Sequence, residues 1–452
     1  MTLLNELSAE VCQRARMSRD PRFDGRFFVA VKTTGIFCRP ICPANLPKEE
    51  NVEYFSSQAL AVSAGYRPCL RCRPESAPHS WAWKGAETTF LRALTLIEQG
   101  ELDGSLETLA SRLGISDRYL RQLFQRHLGM PPKQYAQIQQ LMFAKQLLHT
   151  SQISITEVAY ASGFQSTRRF NDAFQKLFRL TPTQVRRERA ALPSRNHLSL
   201  AFRGPFDWAH MLDFYRLRAI EGMELVDEQS YQRYFILGEG TGWFKASMAQ
   251  SHLDIEFEME RLSDLRHLVA RLRRMFDLDA DLISIEAHLE QLAPGLVWRT
   301  GIRIPGVWNA WEAGVRAVLG QQVSVKAAIG QLNLLVSTLA ASEGSTRYFP
   351  TPEQVQMSDL SFLRMPERRK ETLKRLADYV RLHPMDSPMA WLSLSGIGPW
   401  TVDYAQLRGE SRSHCFLTGD LIVKKALAKF PQLTAESVAP WGSYATFHCW
   451  SH

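Results

Sequence analysis

At 452 residues, 45% of them hydrophobic and 22% charged, the chain is too long for one ordinary core and is expected to fold as two to four globular domains. No apolar run approaches the ~18 residues that span a bilayer, and the charged, amphipathic start MTLLNELSAEVCQRARMSRD does not read as a secretory signal, so membrane and exported classes drop out. The formal charge of +8 is concentrated, because residues 105–190 hold 13 basic and 5 acidic side chains while the remainder balances at 41 of each, and such a block points to a polyanion held by one region.

In chain order, residues 1–80 carry short elements around four cysteines, within "TTGIFCRPICPA" and "GYRPCLRCRPE". Cys38 and Cys42 form a C-x3-C pair, and Cys69 and Cys72 a C-x2-C pair 26 residues later. Two close pairs separated by a loop are what tetrahedral zinc requires, since each pair clips two corners and the loop closes the site. With seven cysteines in the chain and no export signal, metal ligation is expected over a disulfide frame. Closed four-cysteine sites are usually inert, yet Arg39, Arg67, Arg71 and Arg73 stand where they would hold a phosphate backbone. Four thiolates on one Zn2+ carry a formal charge of about −2, which keeps the sulfurs electron-rich.

The words "FVAVKTTGIFCRPICPA" and "GYRPCLRCRPE" resemble the N-terminal domain of the bacterial Ada methylation-response family, over roughly residues 10–75. The resemblance implies that Cys38 irreversibly takes a methyl group from a DNA methylphosphotriester and that Cys42, Cys69 and Cys72 complete the zinc site. Spacing alone leaves open which sulfur reacts. Methylation of Cys38 would make it a neutral thioether, remove one negative charge from the cluster and tighten its hold on DNA.

"CRPESAPHSW" (72–81) reads as a joint, and residues 86–190 as a helical domain. "SLETLASRLGISDRYLRQLFQRHLG" has a helix around 106–112, a turn through Gly114 and Ile115, and a second helix capped by Ser116 or Asp117. A second copy lies at 154–182, with Gly163 at its turn and Ser166 at its cap. The paired copies, joined by a long helix and ending in "FRLTPTQVRR", are similar to the AraC-type DNA-binding domain. The resemblance implies that helices near 117–126 and 166–177 lie in successive major-groove segments, with Arg118, Arg121, Gln122, Thr167, Arg168, Arg169 and Asn171 as polar candidates.

After a second joint, "ALPSRNH" (191–197), the stretches "HLSLAF", "RYFIL" and "HLDIEFEM" read as antiparallel strands. The pattern is expected to turn from strand-like to helical at a softer boundary within 293–308. In "WLSLSGIGPWTVDYAQLRGESRSHCFLTGDLIVKKAL" (391–427), Gly396 and Gly398 flank Ile397 in a turn whose backbone can approach a phosphate, and Asp420 opens another helix 24 residues after Gly396. A lone G-I-G is weak and Asp420 reads equally well as an N-cap. Together, with "AGVRAVLGQQVSVKAA" and "WGSYATFHCW", they resemble the helix-hairpin-helix DNA glycosylases of the AlkA branch, over about residues 196–452.

That resemblance implies Asp420 as the catalytic carboxylate, and Trp400, Tyr404 and Trp450 as the aromatic pocket for a flipped, cationic base. Gly396, Gly398 and Thr401 would meet DNA, and Trp400 stands where lyase relatives carry a Schiff-base lysine, so base removal without strand cleavage is expected. Gln322 replaces the family's leucine wedge. No "PCHR" word is found, so the methylguanine-methyltransferase half of Ada is absent and the glycosylase takes its place.

The expected fold is multidomain α+β: a four-cysteine zinc domain (1–80), an all-α double helix-turn-helix domain (86–190), a small antiparallel α/β domain (196–290) and an all-α helix-hairpin-helix glycosylase domain (291–452). The expected function is alkylation response. A Cys38 sensor converts the protein to a transcriptional activator, and a monofunctional DNA-3-methyladenine glycosylase releases 3-methyladenine- and 7-methylguanine-type bases. The expected partners are alkylated and promoter double-stranded DNA and RNA polymerase, with zinc as cofactor, no membrane, and a bacterial cytoplasmic, nucleoid-associated location. The rival reading is a sensing regulator whose glycosylase half is an inactive DNA clamp. No common RNA-binding signature is found.

Overall fold

The computed structural model describes residues 8–187 and 196–451, except positions 21, 22, 25, 57, 70, 73, 75–80, 99, 101, 103, 104, 341, 345 and 385. Arg73 and most of both expected joints therefore lie outside the described residues. The chain divides into two compact units, residues 1–139 and 140–452. The division falls inside the helix Pro132–Thr150, which joins the two helix-turn-helix copies, so each copy belongs to a different unit.

The first unit opens with a four-stranded sheet in the spatial order Val52–Phe55, Phe28–Val31, Ile36–Cys38, Arg67–Pro68. Side chains alternate across it. Phe28, Ala30 and Phe37 bury one face with Ala61, while Val29 and Phe27 bury the other against Cys12 and Ala15 of the helix Ala9–Met17. Antiparallel register sets Val29 opposite Cys38, and parallel register sets Phe37 opposite Pro68. The sheet thereby carries the second cysteine pair to the first.

The helix-turn-helix rhythm forms as its caps dictate. Ser116 Oγ accepts from the Tyr119 amide at 3.2 Å and starts the helix Asp117–Leu128. Ser166 Oγ accepts from the Arg169 amide at 3.3 Å and starts Thr167–Phe178 in the second copy. Apolar stripes of Leu120, Leu123 and Phe124, and of Phe170 and Phe174, face inward.

In the second unit a five-stranded antiparallel sheet runs in the order His197–Ala201, His252–Met259, Gly240–Met248, Ser230–Leu237, Glu224–Val226. Tyr231, Phe235, Phe244 and Phe257 from its strands pack on the helices Trp208–Arg216 and Leu265–Met275. Glu224 and Arg233 of the sheet meet Glu312 and Arg316 of the helix Ala310–Gly320 in a fully buried network, with N–O distances of 2.5–3.1 Å.

The turn from strand to helix comes earlier than 293–308, at the helix Leu265–Met275. Within that stretch Gly301–Trp308 run buried and irregular, and their amides bond outward, Gly306 to the Met275 carbonyl and Val307 to the Arg408 carbonyl, both at 2.8 Å. Buried backbone needs partners, and here they are neighbouring elements rather than a ladder. Leu282, Ile285 and Leu289 share a core with Leu407, Val423 and Phe447, so packing crosses position 290 without a break. No helix among the described residues is long and apolar enough to cross a membrane.

Candidate functional sites

The sulfur atoms of Cys38, Cys42, Cys69 and Cys72 all lie within 4.8 Å of one another. Cys38 ends a strand, and the Cys69 amide bonds the Phe37 carbonyl of that strand at 3.0 Å. The Cys72 sulfur accepts from the Arg39 amide at 3.4 Å. Cys72 is held down to about 6, chiefly by its hydrogen bond with the Cys38 thiol, and Cys38 is pushed up by that bond, by burial and by its sulfur neighbours. Four thiols this close cannot all ionise unaided. A divalent cation resolves the conflict, and the set suits one zinc ion. Cys42 is buried and Cys38 half-buried, and both line, with Cys69, an apolar cavity of about 360 Å³ bordered by Val31, Ile36, Pro40 and Leu46.

The arginines expected to hold phosphate divide. Arg67 and Arg71 are exposed. Arg39 is not free for DNA: its guanidinium pairs with the buried Asp24 and donates to the Cys72 carbonyl at 3.3 Å. It braces the sulfur cluster instead.

Asp420 caps the helix Leu421–Lys429, and its two oxygens are held differently. Oδ1 accepts from the Ile422 amide at 2.8 Å, the Val423 amide at 3.2 Å and the Trp450 indole at 3.1 Å. Oδ2 has no hydrogen-bond partner among the described residues. Trp400 and Tyr404 stack, with centroids 5.3 Å apart and planes at 26°. A Cβ added at Gly419 would lie 3.9 Å from Trp400 Cδ1, which sets that ring beside the Asp420 turn. Asp420, Trp400, Tyr404 and Trp450 are all half-buried, and Leu421 beside them is 67% exposed.

Three further side chains join this group that the sequence reading missed. Phe214 lies nearly parallel to Trp450, at 6.4 Å and 14°. Arg218 sits over the Phe214 ring, its guanidinium carbon 3.7 Å from the centroid. Arg408, 1% exposed, donates to the Tyr404 hydroxyl at 2.9 Å and to the Pro305 carbonyl. The only trace in the sequence was the amphipathic helix that carries Phe214, which says nothing about a partner more than 180 positions away.

Gly396 stands at φ +93°, and a Cβ there would fall 2.1 Å from Thr372 Oγ1, so only glycine fits. Gly398 is the N-cap of the helix Pro399–Glu410 with open space beyond it. Neither amide donates to a protein acceptor among the described residues. Thr401 corrects an expectation: it is 2% exposed, and its hydroxyl accepts from Gln321 Nε2 at 3.2 Å. That oxygen is turned inward to hold the 321–325 loop, not outward to DNA. Gln321 also bonds the Gly396 carbonyl at 3.2 Å, which the sequence reading did not foresee. Gln322, expected at the wedge position, is exposed at φ +57°.

On the helix-turn-helix helices Arg118, Gln122, Arg168, Arg169 and Asn171 are exposed and Thr167 is half-exposed. Arg121 is exposed too, but pairs with Asp117 at 3.1 Å.

Three family profiles match: the metal binding domain of Ada over residues 11–75, a helix-turn-helix domain over 109–188 and the AlkA N-terminal domain over 197–309. A probable bifunctional transcriptional activator/DNA repair enzyme AlkA of Mycobacterium tuberculosis is 34% identical over 98% of this chain and 96% of its own length. DNA-3-methyladenine glycosylase 2 of Escherichia coli is 33% identical over 56% of this chain and 96% of its own length. The bifunctional transcriptional activator/DNA repair enzyme Ada of Escherichia coli is 35% identical over 38% of this chain, which spans about half (47%) of that relative.

Proposed function

This chain belongs to the family of bifunctional transcriptional activator/DNA repair enzymes that join an Ada-type half to an AlkA-type half, and from that premise we propose that it repairs alkylated DNA by two separate chemistries. In the first, the Cys38 sulfur attacks the methyl carbon of a DNA methylphosphotriester. The carbon–oxygen bond breaks and its electron pair stays on the phosphate, which becomes an ordinary anionic diester. Cys38 ends as a thioether, and the protein is spent. A zinc ion held by Cys38, Cys42, Cys69 and Cys72 supplies the charge that keeps these sulfurs deprotonated at neutral pH. Cys38 is half-buried where Cys42 is buried, which favours it over Cys42; Cys69 and Cys72 are half-buried too, and the choice among these three follows the resemblance to Ada. With one negative charge gone, repulsion from the backbone falls, DNA binding tightens, and the two helix-turn-helix copies act on a promoter to recruit RNA polymerase.

In the second chemistry Asp420 hydrolyses the N-glycosidic bond of a base flipped out of the stack. An N3- or N7-methylated purine is already cationic and leaves as a neutral base, so no strong acid is needed. Positive charge grows on the sugar, and Asp420 Oδ2 stabilises it and takes a proton from the attacking water. Trp400, Tyr404 and Trp450 stack on the base, while the free amides of Gly396 and Gly398 approach a phosphate. Trp400 offers no amine for a Schiff base, so the reaction stops at base removal.

The observation that carries the hydrolytic reading is the division of labour on Asp420, with three donors on Oδ1 and none on Oδ2, beside an aromatic cluster. The test is base release from methylated duplex by wild type and by Asp420→Asn. Release that disappears in the variant while DNA binding persists supports hydrolysis; wild type that binds and releases nothing is a clamp.

A further inference from the structure

Resting on the hydrolytic reading of Asp420, we propose that Arg218 is a specificity-determining residue of the base pocket. It works against cationic damaged bases and in favour of neutral ones by donating hydrogen bonds to the departing base.

Arg218 is a cation with no carboxylate partner among the described residues. Arg218 lies just past the helix Trp208–Arg216 and is half-buried. The one hydrogen bond of its guanidinium among the described residues runs from Nη1 to the Phe214 carbonyl at 3.3 Å, and no carboxylate there pairs with it. Its charged neighbours, Arg408 and Arg316, share its sign, and burial with their repulsion lowers its pKa to about 10, so it is still a cation at neutral pH. The position is not accidental: the Arg218 carbonyl accepts from Arg316 Nη1 at 2.9 Å, which ties the segment to the buried Glu224–Arg233–Glu312–Arg316 network. A guanidinium offers five N–H donors in a planar fork, and Nε and Nη2 remain unused here.

Phe214 connects this cation to the reaction site. One side of the chain is Arg218 over its ring, and the other is Trp450, which holds Asp420 Oδ1. The Phe214 ring, parallel to Trp450 of the proposed stacking group, thus already carries Arg218 and, at 4.8 Å, Arg408. A methylated, positively charged purine entering such a site meets like charge.

The chemistry of leaving supplies the converse. When the bond from C1′ to the base nitrogen breaks, its electron pair goes to the base. A cationic base departs neutral, whereas a neutral base departs as an anion that needs a donor. Water adds to C1′, Asp420 Oδ2 takes its proton, and the anionic base is protonated from solvent afterwards. The unused Arg218 donors suit that developing charge, in a half-buried setting where such a contact is stronger than in water.

The test uses full-length protein in single-turnover release from duplexes carrying one 7-methylguanine, a cationic base, or one hypoxanthine, a neutral one. Arg218→Met keeps the stem and removes the charge. It is expected to slow hypoxanthine release at least tenfold and to speed 7-methylguanine release a few-fold. Arg218→Lys, which keeps a point charge without the fork, is expected between the two and decides the matter if the methionine variant does not fold. Equal loss on both substrates, or a ratio unchanged from wild type, overturns the role of Arg218 alone. Wild type that releases neither base overturns the hydrolytic reading and this inference together.

Discussion

The two candidate sites are built on opposite plans. The sulfur centre gathers ligands from positions 38–72, on adjoining strand ends and tight turns. The carboxylate centre gathers Phe214, Arg218, Trp400, Tyr404, Asp420 and Trp450 from across more than 230 positions. In the first, reactivity is stored in crowded charge: four thiols too close to ionise together, released by a cation. In the second it is stored in a constraint, since one oxygen of Asp420 is bonded to three donors and the other left open. A centre of the first kind is consumed when its charge changes; one of the second kind is unchanged at the end and can turn over.

The contrast is broken most completely at the cysteines. Cys38→Ser is expected to abolish methyl uptake, read as a one-methyl mass gain on the intact protein, while base release continues; chelating the zinc should do the same and unfold the small sheet, seen by circular dichroism. A Cys38→Ser protein that still gains the methyl group sends the acceptor role elsewhere. Next, Asp420→Asn should cut base release by about 10²–10³ at unchanged methyl uptake. Loss of both activities in either variant would show that the two centres are not separate.

The frame behind the carboxylate offers smaller effects. Glu312→Ala leaves two buried cations, Arg233 and Arg316, to share the single carboxylate of Glu224 and should cost about 3–5 kcal/mol in denaturant unfolding of the second unit. A loss under about 1 kcal/mol would mean that the network does not hold sheet and helices together. Gly396→Ala must relieve both a left-handed backbone and the Thr372 contact, for roughly 1–3 kcal/mol and weaker DNA binding.

The smallest effect is in pH. Burial pushes the Asp277 carboxyl up to about 7, against its bonds with Ile304 and Tyr444. A carboxyl raised in the folded state contributes stability that is complete below its unfolded pKa of about 3.9 and is lost as pH rises through about 7. Asp277→Asn removes that titration, so wild type should lose ground to the variant between pH 5 and pH 8. Parallel unfolding curves at both pH values check it, and a constant difference rejects it.

Much of the fold was legible in residue order because it is local. Ser116 and Ser166 announced their helices through side-chain caps, alternation announced the sheet strands, and the cysteine pairs announced a metal. Resemblance then identified Asp420 and its aromatic companions as a group. The stretch 293–308 was legible only as a change of pattern, because it is a buried irregular connector whose amides bond carbonyls of distant segments.

By itself, then, the sequence determined which chemistries are present: four sulfurs at ligand spacing, a hairpin glycine and a carboxylate at the head of a helix. Only the tertiary structure decided how each group is used. It turned Arg39 to Asp24 and Thr401 to Gln321, left Asp420 Oδ2 open, and set Arg218 over the Phe214 ring that lies parallel to Trp450. The physical reason is that a cap or a ligand pair is closed by neighbours within a few residues. Which donors remain unsatisfied depends on core packing between segments far apart in the chain.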